Sequence, residues 1–404
     1  MQTMLFWFPP LYFFGLILIP GMAEVGLLCL SLLGLGVVLR PEARESFKWG
    51  TAADTSLALA FTSVFLFKVL TMLWANEPGL ALRNALWHVH FLLWPLALLG
   101  LHKCGALQKY IDRGISLSLM IVALWFLVGA ATGWPWLAFE DAGTTHPGIL
   151  AQETLVLGIW MLLALTRPVE AGGTDRMWHV LGVCAAPVVL IASGRRLELL
   201  GYLMLLPLFL LIRFRSKVST LRLVLALLVF VAVAAALVYV RREKFLLGFS
   251  ELSQYFAERE LRPEVVLSSW GARLEMYRVG IMGFLDHPIL GMSAGVRPYL
   301  LTEYNILSRQ DFGHRHFHSQ LLQTLIEGGL LGLVLMVSVM VHSIRLLIIK
   351  AWSVAREPAL LALALYLGYM IEGAFSAALT YGEANAMFVV ASAWLWLQIR
   401  KSVN

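Results

Sequence analysis

Long apolar runs separated by short polar gaps dominate this chain. A helix needs about 20 mostly apolar residues to cross the hydrocarbon of a bilayer. Runs of that kind lie near 3–21, 22–39, 53–75, 84–101, 114–132, 148–166, 177–193, 197–213, 221–241, 320–347, 357–379 and 384–399. The pattern predicts an all-α, polytopic membrane protein with about 12 transmembrane helices. Pro9, Pro10 and Pro20 make the first span the least regular, because proline removes a helix hydrogen bond. Residues 1–241 hold the first nine spans, 242–319 form one long gap, and 320–404 hold the last three.

The long gap has a different pattern. It is mixed in charge, and in WGARLEMYRVGIMGFL (270–285) apolar residues recur at helical spacing. Such a segment predicts helices lying on or near the membrane. Asp286, His287 and Pro288, followed by Gly291 and Gly295, signal turns. There is no internal repeat and no low-complexity tract.

Lysine and arginine fall in alternate gaps. Arg40, Arg44 and Lys48 follow the second run, Lys103, Lys109 and Arg113 the fourth, and Arg167 and Arg176 the sixth. Arg213, Arg215, Lys217 and Arg222 follow the eighth, Lys350 and Arg356 the tenth, and the tail carries Arg400 and Lys401. Positive charge stays on the cytoplasmic side. Both termini are therefore expected in the cytoplasm and the long gap outside, as one helical periplasmic segment. Arg83 and the pair Arg195/Arg196 break the alternation.

Composition agrees. Of 404 residues, 59% are hydrophobic and 14% charged, against about 25% charged in soluble domains. Mean hydropathy is +0.77. The net charge of +6 sits in short loops, where it sets topology, so no nucleic-acid partner is expected. Cys29, Cys104 and Cys184 are an odd number with no CxxC spacing, which excludes a disulfide framework and a cysteine metal site. The N-terminal MQTMLFWFPP lacks a basic leader and reads as a retained first helix. Trp134 and Trp136, in an outer loop, read as interfacial anchors.

Candidate chemistry gathers on the outer side. Arg195 and Arg196 lie at an outward helix end in ASGRRLELLGYL. Paired guanidinium groups can chelate phosphate oxygens, and a helix N-terminus beside them adds free N–H groups. The other reading is an interfacial pair that snorkels or pairs with Glu198. His314, His316 and His318 close the long gap. Histidine can act as a base near neutral pH; His314 and His318 also have a zinc-ligand spacing, and a solvated cluster is the plain alternative. No HExxH and no nearby DxD accompany them. Arg273, Arg278 and Arg297 are further cations, or simply a solvated helix face. Lys68 and Glu372 fall inside apolar runs, where ionisable groups mark paired or functional sites. Gly328 and Gly332 read as a helix-packing face.

Three segments resemble the O-antigen ligase and polymerase family. ASGRRLELL resembles its arginine motif at an outward helix end, with Arg195 or Arg196 in the arginine's place. WGARLEMYRVGIMGFLDHPILGMSAG resembles a second motif, with Arg273, His287, Pro288, Gly291 and Gly295 matching. HFHSQLLQTLIEGGLLGL resembles a third, with His316, His318, Leu322, Glu327, Gly329 and Gly332 matching and Ser319 where the family usually has Asn. The motifs span roughly 190–335, and the long outer gap before the last three spans agrees with the family plan.

The resemblance implies a GT-C-like membrane glycosyltransferase of the bacterial inner membrane, with its active site in the periplasm. Its donor would be an undecaprenyl-diphosphate-linked glycan, and its acceptor the lipid A–core oligosaccharide, in lipopolysaccharide biosynthesis. A polymerase or a protein O-oligosaccharyltransferase is the nearest alternative; the single main outer segment favours a ligase. The expected mechanism inverts the anomeric carbon and needs no metal or cofactor. His318 is the base with His316 assisting. Arg195, Arg196 and Arg273 bind the donor diphosphate, with Arg278, Arg297 and His314 as accessory groups. The partners are the two lipids and surrounding membrane lipids, and the chain is expected as a monomer. The rival class is a lipid or glycan transporter with Lys68 and Glu372 as a midplane relay.

Overall fold

The computed structural model describes all residues except 1, 41–50, 106, 134–146, 166, 168–173, 215–241, 259–262, 267, 297–316, 377–378, 380 and 404. The span expected at 221–241, Trp134 and Trp136 lie outside the described residues. All regular structure among the described residues is helical.

The first half contains α1 (Gln2–Gly15), α2 (Met22–Val38), α3 (Ala52–Leu70), α4 (Pro78–Leu86), α5 (Val89–Leu92), α6 (Trp94–Cys104), α7 (Gln108–Thr132), α8 (Pro147–Leu165), α9 (Thr174–Ala192) and α10 (Arg196–Phe214). The long segment before the last three helices supplies α11 (Arg242–Glu258), α12 (Pro263–Val266) and α13 (Ser269–Asp286). The chain then forms α14 (Gln320–Ile344), α15 (Arg356–Phe375) and α16 (Gly382–Val403).

Among the described residues, five helical stretches are long and apolar enough to cross a membrane: Ala52–Trp74, Gln108–Thr132, Gly148–Leu165, Asp175–Ala192 and Gln320–Lys350. Met22–Val38 and Glu198–Ile212 are apolar but shorter. Outward faces of the long helices are apolar, with Leu66, Leu124 and Val334 more than half exposed. Such surfaces suit lipid better than water. The most hydrophobic stretch of α8 is 94% buried, against 33% for the other four spans, so α8 is the central helix. It is sheathed by α7, α9, α10, α15 and α16.

The run at 84–101 is not one span. It folds as α4, α5 and α6. Pro95 explains the second break: it has no N–H for the carbonyl of Phe91, so a new helix starts around it. The first run also departs from expectation. Helix α1 passes through Pro9 and Pro10 but ends at Gly15, and the chain turns before Gly21, whose φ is +75°.

Polar contacts sort the helix ends into two groups. Arg113 pairs with Asp175 at 2.6 Å, Arg167 bonds both Asp112 and Glu357, and Arg356 donates to the Ile212 carbonyl at 3.2 Å. Trp394 donates to Gln108 at 2.8 Å, and Arg400 lies 3.4 Å from Asp54. The arginine-bearing gaps after α6, α8 and α10 and the C-terminal tail therefore share one end of the bundle. Lys68, Arg195, His318 and Glu372 lie towards the other.

The segment that carries α13 is joined to the bundle by an exchange of main-chain bonds. Helix α14 breaks at Gly329, with φ +60° and ψ −159°. The break frees the N–H groups of Leu330 and Leu331 and the carbonyls of Ile326 and Glu327, which would otherwise pair with each other. The N–H groups bond Pro288 and Ile289 at 2.8 and 3.1 Å; the carbonyls accept from Met292 and Ser293 at 2.7 and 3.0 Å. A Cβ on Gly329 would sit 2.3 Å from the Ile289 oxygen, and one on Gly291 2.5 Å from the Gly329 nitrogen. The turn signals after α13 thus build a docking strip for the broken helix. Gly328 and Gly332 pack against the Phe67 ring, where a Cβ would come within 2.6 and 2.9 Å. Their reading as a packing face holds.

Candidate active site

Helix α9 ends on Ser193 and Gly194, the latter at φ +68°, a left-handed turn that glycine adopts without cost. Arg195 follows as the residue flanking α10, and its carbonyl accepts from Leu199 at 3.4 Å. The side chain therefore leaves from a helix N-terminus, where free N–H groups and the helix dipole favour an anion. The Arg196 side chain lies outside the described positions.

Helix α13 starts with a serine cap: Ser268 accepts from the Gly271 N–H at 3.0 Å. Arg273 lies one turn in, with its guanidinium 5.8 Å from the Trp270 ring centre. Burial lowers its pKa; Arg195 pushes it the same way, while Tyr277, Glu198 and Glu372 oppose. Arg195 and Arg273 thus share one electrostatic environment. Among the described residues, neither guanidinium forms a salt bridge. The alternative reading has the arginine pair bound to Glu198; among the described residues no salt bridge joins Arg195 to Glu198. Glu198 lies beside Glu372, and the Glu372 carbonyl accepts from the Ser376 N–H at 2.8 Å.

One helical turn beyond Arg273, on the same face, the Tyr277 hydroxyl donates to the His318 carbonyl at 2.8 Å. Burial raises the Tyr277 pKa and the Arg273 charge opposes that rise. His318 is 8% exposed. Its φ is +52°, a left-handed value uncommon for a residue with a side chain. That backbone costs about 1–3 kcal/mol and persists only where its surroundings hold it. Three bonds do so here. Tyr277 takes the His318 carbonyl, the Phe317 N–H donates to Gln323 at 3.0 Å, and the Ser319 hydroxyl caps α14 by accepting from Leu322 at 3.4 Å. Serine and asparagine are both good N-caps, so Ser319 serves where the family usually has Asn.

The other expected residues divide. Arg278 is held by Glu275 at 2.7 Å, and Glu275 also accepts from Tyr255. The arginine is thus held within α13, while Glu275 links α13 to α11 through Tyr255. His287 ends α13 and is exposed. His314, His316 and Arg297 lie outside the described residues. Among the described residues no group of three His, Cys, Asp or Glu side chains is placed to hold a metal ion. Lys68 and Glu372 do not pair with each other. Lys68 forms a buried salt bridge with Glu327, which leaves the transporter-type relay without its two ends in contact.

Tyr277, Gln323 and the pairing role of Glu327 were not legible in advance. Only Glu327 carried a signal, as an acid inside an apolar run that needs a cation.

The fold and this cluster define a class: an all-helical protein with membrane-spanning helices, bearing a half-buried cationic site beside a buried histidine at one end. Residues 180–337 match the family model described as O-antigen ligase. The resemblance seen in the three motifs is thus to that family, one of membrane glycosyltransferase-like ligases, and the match spans Arg195, Arg273, Tyr277, His318 and Glu327. A search among curated proteins finds no match to the chain.

Proposed function

We propose that the chain is an inner-membrane O-antigen ligase, passing a glycan from undecaprenyl diphosphate to the lipid A–core oligosaccharide on the periplasmic face. The observation that carries this reading is the Tyr277–His318 hydrogen bond, made from the same α13 face as Arg273. One helix thereby ties the histidine to Arg273, which shares its surroundings with Arg195, and among the described residues neither guanidinium forms a salt bridge. A phosphate-bearing donor fits such a pair. The histidine supplies the base that the acceptor needs.

In this mechanism His318 removes the proton from the acceptor hydroxyl. The oxygen attacks the anomeric carbon, and the bond from that carbon to the diphosphate oxygen breaks with its electron pair going to the phosphate. One displacement inverts the carbon. Arg195, Arg196 and Arg273 neutralise the charge that develops on the leaving undecaprenyl diphosphate. A leaving group stabilised in this way needs no metal. Glycosidase chemistry would instead use two carboxyl groups facing across the sugar.

The cytoplasmic placement of both termini is part of the same proposal. The arginine-bearing gaps share one bundle end, and the positive-inside rule assigns that end to the cytoplasm. Reconstituted protein, given lipid A–core and a polyprenyl-diphosphate glycan, should form the covalently joined product without an energy source. Growth of the glycan on its own polyprenyl carrier would instead identify a polymerase. Movement of unchanged donor across the bilayer would overturn the reading in favour of a transporter.

A further inference from the structure

We infer that Lys68, Glu327 and Gln323 are positioning residues for His318, forming a side-chain strut from α3 through α14 to the turn that carries the histidine. This rests on the reading of His318 as the base. The strut is continuous. The Lys68 ammonium is paired with Glu327, the other Glu327 oxygen accepts from the Gln323 amide nitrogen, and the Gln323 oxygen accepts from the Phe317 N–H at 3.0 Å. All three side chains are buried.

Each link fixes the next. The Phe317 N–H requires an acceptor, so the Gln323 oxygen must face it. Its NH2 group is then directed at Glu327, which must accept. Glu327 accepts while also facing the Lys68 ammonium across the α3–α14 contact. The strut thus ends on the residue directly before His318, whose left-handed backbone must be held from outside. Stability alone is a weak account of this arrangement. A buried ion pair costs desolvation on both sides and is often no better than an apolar pair of the same volume.

The test uses the full chain in the reconstituted transfer assay. Gln323→Met keeps the side-chain length and removes the acceptor for Phe317. Misplacing a reacting group by about 1 Å costs on the order of 10²-fold. The strut therefore predicts a kcat loss of about that size, with donor KM and thermal midpoint nearly unchanged. The second variant is the exchanged pair Lys68→Glu with Glu327→Lys. It restores the ion pair, and hence stability, relative to either single change. The exchanged ammonium at 327 offers only donors, so the Gln323 oxygen turns to it and the NH2 group faces the Phe317 N–H. Transfer should stay low. A merely structural pair would recover transfer together with stability.

Near-normal kcat in Gln323→Met, or full recovery of kcat in the exchanged pair, overturns the strut. If Gln323→Met does not accumulate, the exchanged pair carries the test alone. His318→Ala separates the two levels. Activity retained there removes the base reading itself, whereas a dead His318→Ala beside a normal Gln323→Met removes only the strut.

Discussion

Tyr277 donates its phenolic proton to the backbone carbonyl of His318 at 2.8 Å, from a position one helical turn beyond Arg273. The hydrogen bond connects two motifs that lie 41 residues apart in the chain. Tyr277 thereby holds the main chain of the histidine from α13.

The histidine gives the sharpest test. His318→Ala should lower transfer by roughly 10²–10⁴-fold, the usual worth of general acid–base catalysis, while donor binding and membrane insertion persist. His318→Arg retains a cation but offers no base and should be equally inactive. Near-normal transfer by the arginine variant at neutral pH would reduce the residue to an electrostatic contact.

Arginine and lysine separate geometry from charge. Arg195→Lys and Arg273→Lys each keep a positive charge but lose the planar fork that grips phosphate oxygens. Each should lower kcat/KM by roughly 10²-fold, as loss of a transition-state donor does. Full activity in both variants would leave these side chains as topological charges only.

Orientation can be read by labelling. In a variant lacking Cys29, Cys104 and Cys184, Gln254→Cys places a thiol at an exposed site on α11. Position 255, one residue on, is only 3% exposed and would react poorly in either orientation. An impermeant reagent should label Gln254→Cys in cells whose outer membrane alone is permeabilised. Labelling that requires inner-membrane lysis would invert the topology.

Gly329→Ala tests the broken helix. Its φ of +60° and ψ of −159° form a backbone open almost only to glycine, and the added methyl would press on the Ile289 oxygen. Strain alone should cost roughly 1–3 kcal/mol. A lower thermal midpoint is expected, with loss of transfer. An unchanged midpoint would show that the strip around Ile289 is not rigidly seated.

Chelation addresses the leaving group. On the proposed mechanism, in which arginines neutralise the diphosphate, transfer should survive EDTA. Activity that disappears with EDTA and returns with a divalent ion would bring the histidines at 314 and 318 back as metal ligands.

Most of the helices could be read from the chain because burial in lipid demands long apolar runs. The run at 84–101 misled because hydropathy averages over Pro95, whose missing N–H ends a helix without lowering the apolar score. The helix of the outer segment was legible as well, since Trp270 to Leu285 repeats at helical spacing and ends on Gly and Pro signals. The site was legible only in part. Arg195, Arg273 and His318 stood out by position and residue type. The Lys68–Glu327 pair joins residues 259 apart, and nothing local in either segment names the other. The same holds for Tyr277, an ordinary aromatic on an amphipathic helix until the fold brings His318 beneath it.

The exchanged main-chain bonds at Gly329 also bear on how lipid substrates reach the site. Swinging α13 away from α14 would leave Ile326, Glu327, Leu330 and Leu331 without partners in an apolar setting, where each unmet peptide group costs several kcal/mol. The outer segment is therefore a fixed roof at this point rather than a door. On the proposed function, traffic runs laterally, with the tails of lipid-linked substrates staying in the leaflet while their headgroups slide in beneath α13. Turnover should then respond to the fluidity and thickness of the surrounding bilayer.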